Sequence, residues 1–268
     1  MQITAKTWNE YITRLSRLNQ KAGQLMREYI GSHDTESTDD LIAYAYGLVT
    51  KYGEGSAELA CQMYDALAEA ANAGVPAAEP AEPADYGEVA RMVNATKNQN
   101  PANLPNGVSR LVKRAGADTT LKNAARDGAE WAWVPHGDTC PFCITLASNG
   151  WQKASSKVLK GGHAEHIHAN CDCEFAIRFD HKTTVAGYDP DKYLAQYNAA
   201  GGDINKMRRV NYAANKERIN AQKRAAYAAR KLNDIEIGRS IGAKAKNYVV
   251  VDKSTGEEYY FIEGTRLQ

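Results

Sequence analysis

Apolar side chains recur every three or four residues near the start of the chain: Trp8, Tyr11, Ile12, Leu15, Leu18, Ala22, Leu25, Met26 and Tyr29. That period matches the α-helical turn and predicts an amphipathic helix over 6–31 with one buried stripe. The polar run SHDTES ends the pattern at 32–37. A second helix is predicted over 38–52, with Leu41, Ile42, Ala45, Tyr46 and Leu48 inward and Thr38 or Asp39 as its cap. A third is predicted over 55–73, striped by Leu59, Ala60, Met63, Tyr64, Leu67 and Ala71 and stopped by Gly74. The next run, VPAAEPAEPADYG, is rich in proline and alanine and has no period, which predicts an extended surface connection. Two further helices are expected at 86–98 and 105–125, broken by NQNPANLPNG.

The period then shortens to two. Residues 129–135 (AEWAWVP) and 173–179 (CEFAIRF) alternate and predict strands. Between them, 141–148 predicts a short helix that stops at Asn149-Gly150. A helix follows over 189–200, opened by Asp189 or Asp191 and closed by Gly201-Gly202, and a long one over 203–233. The segments NYVVVD (247–252) and EEYYFI (257–262) predict a β-hairpin around a KSTG turn, with Gly256 at positive φ. A lone hairpin is marginally stable, so it needs a partner surface. The chain stops soon after, which leaves open whether it is a piece of a longer protein. Together these elements predict an α+β fold, predominantly α-helical, with a small β unit and a C-terminal β-hairpin.

Composition narrows the classes. The chain has 268 residues, enough for one large or two modest domains, and 33 Lys+Arg against 32 Asp+Glu. This balance says nothing about partners, but the distribution does. Lys206, Arg208, Arg209, Lys216, Arg218, Lys223, Arg224, Arg230 and Lys231 share the segment 204–231 with one acid, Glu217. Such a helix either lies solvated over packed Ala and Tyr, or meets phosphate or an acidic protein; the second reading is preferred. No apolar run follows Met1 and no stretch of about twenty apolar residues occurs, so neither a secretory signal nor a membrane span is expected.

The chemistry concentrates in 138–173, which holds four of the five cysteines and three of the six histidines. Cys140 and Cys143 form C-x-x-C; His168, Cys171 and Cys173 form H-x-x-C-x-C. Two short clusters separated by about two dozen residues have the spacing of a structural zinc site, and the metal would staple the span between them. Five donors serve four positions: Cys140 and Cys143 from the first cluster, His168 and Cys173 or Cys171 from the second. His163 and His166 are further candidates but fit better as part of a polar loop. Four cysteines in ligand spacing point to a reducing compartment, although Cys140 could pair with Cys171 or Cys173 on oxidation. Cys61 belongs to an apolar helix face and is expected to be an inert core residue.

Catalysis finds little support. His163-Ala164-Glu165 and the C-x-x-C pair come in the reverse order to the zinc deaminases, with Pro141 inside the pair. There is no H-E-x-x-H, no phosphate-binding glycine loop and no G-x-S-x-G. A metal nuclease would need carboxylates beside the histidines, and no acidic cluster accompanies them. A non-enzyme is expected.

The run Val134-x-x-Gly137-Asp138-Thr139-Cys140-x-x-Cys143-x-x-Leu146-Ala147-Ser148-x-Gly150, followed by His168-x-x-Cys171-x-Cys173, resembles the Mu F-like minor capsid (head morphogenesis) proteins of tailed bacteriophages. The strand Trp131 to Pro135 and the stretches YAYGLVTKYG and AELACQMYDALAEAANAG extend the resemblance to roughly 38–180. Asp172 stands where that family often carries arginine. The resemblance implies a low-copy internal head protein, with Cys140, Cys143, His168, Cys171 and Cys173 matching the family's metal-like pattern. Its implied partners are the portal protein, the major capsid protein and packaged DNA, with no membrane and no small-molecule substrate. The implied location is the virion, inside the capsid near the portal, and the host cytoplasm during assembly.

The organisation expected is then a helical docking region at 1–74, a linker at 75–85, the Mu F-like domain with its structural Zn2+ at 86–188, a basic helical region at 189–246 and a hairpin tail at 247–268. The function expected is a minor structural protein acting in head assembly, DNA packaging or ejection. Two alternatives remain: a phage-delivered effector with a C-terminal nuclease-like domain, and a zinc-dependent nucleic-acid-binding adaptor. Zinc ribbons repeat C-x-x-C twice, which counts against the adaptor.

Overall fold

Thr4 opens the first helix: its hydroxyl accepts the Thr7 N–H at 3.1 Å, closing one of the amides a helix start leaves free. The computed structural model describes residues 2–33, 37–137, 139–155, 171–240, 248–251, 258–262 and 265–267. A short strand β1 (Gln2–Ile3) leads into α1 (Ala5–Ser32), α2 (Thr38–Ala70), α3 (Tyr86–Gln99), a single 3-10 turn (Pro101–Asn103) and α4 (Leu104–Asp127). Then come β2 (Glu130–Val134), α5 (Pro141–Ala147), β3 (Gln152–Lys153), β4 (Glu174–Arg178), β5 (Thr184–Val185), α6 (Pro190–Ala199), α7 (Ile204–Ser240), β6 (Tyr248–Val251), β7 (Glu258–Ile262) and β8 (Thr265–Leu267). The fold is α+β and mostly helical, as the periodicity indicates.

Three expectations about the second and third helices are corrected. The cap is Ser37, whose hydroxyl accepts the Asp40 N–H at 3.4 Å, and not Thr38 or Asp39. Tyr46 is exposed and not inward. The helices expected at 38–52 and 55–73 are a single helix, α2, which passes through Gly53 and Gly55 without a break. Each interior glycine costs a helix about 1 kcal/mol, but here each serves packing. A Cβ on Gly53 would sit 3.0 Å from Pro83 Cβ, and one on Gly55 would sit 3.4 Å from Leu18 Cδ1. Close approach, not termination, explains both glycines.

Two compact units make up the chain, Met1–Ile204 and Asn205–Gln268. In the first, α1 and α2 both pack on α4. Leu41, Val49, Val89, Val108 and Val112 form one part of its core, and Trp8, Leu15, Tyr64, Leu121, Trp133 and Phe175 the other. The crossings use small residues: a Cβ on Gly23 of α1 would lie 2.4 Å from Ser109 Oγ and 3.2 Å from the Pro105 carbonyl oxygen. At the α2–α4 crossing a Cβ on Gly116 would lie 2.7 Å from Ser56 Oγ and 3.1 Å from its backbone oxygen. Gly116→Leu therefore forces the helices apart and lowers stability by about 1–3 kcal/mol, the usual cost of overpacking. Denaturant unfolding checks this; an unchanged midpoint would show that α2 and α4 have slack.

The segment 75–85 has no helix or strand but is tied down by α2 and α4. Ala78 N–H donates to Asp65 Oδ1 at 2.7 Å, and Ala81 N–H to Thr119 Oγ1 at 2.9 Å. Glu79 N–H donates to Asn123 Oδ1 at 2.9 Å, and Asn123 Nδ2 returns a bond to the Glu79 carbonyl at 2.8 Å. Ala81 and Ala84 are buried.

The two alternating segments pair as antiparallel β2 and β4, in register Trp131↔Ile177 and Trp133↔Phe175, with β3 on the other edge of β2. Trp131 through Val134 are all buried, so this small sheet is covered on both faces. Gly128, at φ 67°, ends α4 in the left-handed region and turns the chain into β2. In the second unit, β6 and β7 pair as the expected hairpin, and β8 adds a third antiparallel strand. The KSTG turn and Gly256 lie outside the described residues.

Candidate metal centre

Cys140 and Cys143 come together through the start of α5. Cys140 is the N-cap, in extended backbone at φ −75° and ψ 159°, and Pro141 supplies the first helical residue. A side chain at the N-cap faces back over the first turn, and the thiols of Cys140 and Cys143 are in hydrogen-bond contact. Cys171 and Cys173 lie just before β4, separated by one residue. The two segments meet: the Sγ atoms of Cys143, Cys171 and Cys173 all lie within 4.8 Å of one another, and Cys143 Sγ is 3.3 Å from Cys171 Sγ. All five cysteines of the chain are free thiols.

The surroundings favour one thiolate, on Cys171. Cys171 is pulled down to about 2 by hydrogen bonds from Cys143 and Cys173, with help from the Cys173 N–H and the Lys113 charge. Cys143 is pushed up by its hydrogen bonds with Cys140, Cys171 and Cys173 and by burial. Cys173 is drawn down by Cys143, but its contact with Cys171 and its burial outweigh that and raise it to about 12. The His136 backbone N–H points at its sulfur. The cluster thus carries one thiolate easily, and further ones only at rising electrostatic cost. A divalent cation reverses that cost, because each added thiolate then gains a ligand bond.

The donor set fits a thiophilic metal. Zinc–sulfur bonds of about 2.3 Å in a tetrahedron put sulfurs about 3.8 Å apart, close to the spacing found here. Cys143, Cys171 and Cys173 are the three that converge; Cys140 adjoins them beside Cys143. His168, with His163 and His166, lies outside the described residues. A metal here would cross-link α5 to the start of β4.

Sequence reading missed Lys113. It projects from α4, is buried, and its Nζ donates to the carbonyl oxygens of Cys171 and Cys173. Its neighbours on α4 are buried almost all round the helix, so no stripe set it apart. Cys61 behaves as expected: it is buried in α2, and burial pushes its thiol up to about 11.

The basic residues form a different feature. Lys206, Arg208, Arg209, Lys216, Arg218, Lys223 and Arg224 are spread along α7 and exposed. Arg208 Nη1 turns to Asn205 Oδ1 at 3.4 Å and Arg218 Nη2 to Asn215 Oδ1 at 3.2 Å, both neutral groups. Tyr212 and Tyr227 are exposed among them.

The family profile described as VG15 protein matches residues 2–200. The chain belongs to the VG15 protein family. This is a phage protein family, and its match covers nearly all of the first compact unit, including all four cysteines of the cluster. No curated protein and no solved structure matches the chain. Among the described residues, no helix is long and apolar enough to cross a membrane.

Proposed function

We propose that this VG15 family member is a minor structural protein of a tailed-phage head, bound to the portal or the inner capsid wall. It acts in head assembly, DNA packaging or ejection and has no catalytic role. The observation that carries the reading is the family match over 2–200, with the cysteine clusters inside it. The metal is a structural Zn2+ on Cys143, Cys171 and Cys173, with Cys140 or His168 as fourth donor. The test is co-expression with the portal and major capsid proteins of the same phage: the chain should co-purify with assembled heads or with the portal. Recovery of the chain free of both would overturn the reading.

Within it, α7 faces packaged DNA. Arg208, Arg209, Lys216, Arg218, Lys223 and Arg224 have no acid three or four residues away on either side, so these charges repel along the helix without internal compensation. A polyanion relieves that repulsion. With four of the six on phosphates, the log–log salt slope is about −3.6, and duplex affinity falls about 150-fold between 50 and 200 mM salt. Fluorescence anisotropy with a labelled duplex measures it, and a flat salt response would remove DNA from the proposal.

A second reading has one observation in its favour: residues 205–268 form their own unit beyond the family match, with a three-stranded sheet. That unit suits a phage-delivered effector. Growth arrest of a host expressing the chain supports it, and normal growth counts against it.

A further inference from the structure

Lys113 is 3% exposed. Burying an ammonium is costly unless its protons and its charge are both matched. The protons are matched by the Cys171 carbonyl and, at 2.8 Å, the Cys173 carbonyl. Cys171 and Cys173 flank Asp172, and both of their carbonyls turn to Lys113 while both of their sulfurs lie close to Cys143. A single ammonium therefore spans both carbonyls, taking the place that the N–H groups of a neighbouring strand would take. The residue between them is held from elsewhere: Ser16 Oγ of α1 donates to Asp172 Oδ1 at 2.6 Å. The C-x-C segment is thus gripped by two helices of the bundle, and its sulfurs are presented to Cys143 of α5.

The charge needs its own match. A neutral donor would satisfy two carbonyls as well, and without the desolvation cost of a cation. The adjacent buried acid, Glu174, is one charge within electrostatic reach of Lys113, although its Oε1 accepts the Phe175 N–H at 3.0 Å. The other is on sulfur, where the Lys113 charge acts on Cys171. A divalent cation on three thiolates leaves a net charge of about −1, and on four about −2. A buried cation one residue's width away offsets it.

We propose that Lys113 is a positioning residue of the metal centre. It fixes the C-x-C segment through the Cys171 and Cys173 carbonyls and offsets the negative charge that the thiolates keep once a divalent cation is bound. This rests on the reading of the cluster as a metal site and adds to it a residue from outside the ligand set.

The experiment uses the full chain, reduced and stripped of metal. Zinc affinity is measured by competition with a chromophoric chelator, and the sulfur-to-cobalt charge-transfer absorption is recorded on cobalt(II) loading. Lys113→Met removes donor and charge; Lys113→Gln keeps a donor and removes the charge. Both variants should bind zinc 10- to 100-fold more weakly, the usual range for groups that orient ligands, with the cobalt charge-transfer intensity per bound ion unchanged because the same sulfurs bind. Equal zinc affinity in the wild type and either folded variant overturns the proposal while leaving the metal site standing, even where melting temperatures fall. A wild-type chain that binds no zinc overturns the metal reading and the proposal together. Should Lys113→Met fail to fold, Lys113→Gln carries the comparison.

Discussion

Cys143→Ser lowers the melting temperature of the reduced, zinc-loaded protein by about 10 °C. Cys143 is 1% exposed and sits between the other cysteines of the cluster, in contact with Cys140, Cys171 and Cys173. On the proposed zinc reading its loss removes a central ligand, and for a structural metal, binding energy is folding energy. A cost of about 3–5 kcal/mol is expected, since a buried partner of a charged cluster is removed. In a unit of this size each kcal/mol moves the midpoint by about 2–4 °C. Chelation separates the metal from simple side-chain loss. A strong chelator should bring wild-type protein close to the Cys143→Ser midpoint and leave the variant unmoved. If wild type and variant melt together and neither responds to chelator, the structural-metal reading is wrong. Cys140→Ser then identifies the fourth donor: a fall as large as that of Cys143→Ser assigns Cys140, and a small one leaves the position to His168.

What could be seen in the sequence was what has a period or a spacing. The 3.6-residue stripe of α1 and the alternation of β2 and β4 are local consequences of burying one face or two, and both segments fold as their patterns require. The break expected between 52 and 55 is absent because Gly53 and Gly55 sit inside one helix and face Pro83 and Leu18, contacts that no local pattern displays. The cysteines were legible because they stand in two short local clusters, C-x-x-C and C-x-C. The grip on them was not. Lys113 and Ser16 are 58 and 156 residues from their partners Cys171 and Asp172, and no local rule links such positions. The basic segment of α7 was legible as composition, and the structure adds that Lys206, Arg208, Arg209, Lys216, Arg218, Lys223 and Arg224 are exposed and that Arg208 and Arg218 turn to asparagine side chains.

Trp133→Ala should cost about 3–5 kcal/mol, the range for deleting a large buried aromatic, whereas Trp133→Phe should cost under about 1.5 kcal/mol. Trp133 is 1% exposed on the central strand β2 and faces Phe175 of β4 edge-on, with ring centroids 4.7 Å apart. It belongs to the same core as Cys143 and Cys173, so the sheet and the cysteine cluster share their packing. Truncation to alanine opens a cavity where β2, β4 and α5 converge, and a close-packed interior collapses into such a space only partly. Phenylalanine keeps the aromatic contact with Phe175. It also removes an indole Nε1 that has no hydrogen-bond partner among the described residues, so the loss of volume is partly offset by the loss of a buried unsatisfied donor. Urea unfolding of both variants, with zinc affinity measured alongside, decides the point. Equal destabilisation by Ala and Phe would show that the indole makes a polar contact of its own. A fall in zinc affinity confined to Trp133→Ala would show that the packing of the sheet, and not the ligands alone, sets the geometry of the cysteine cluster.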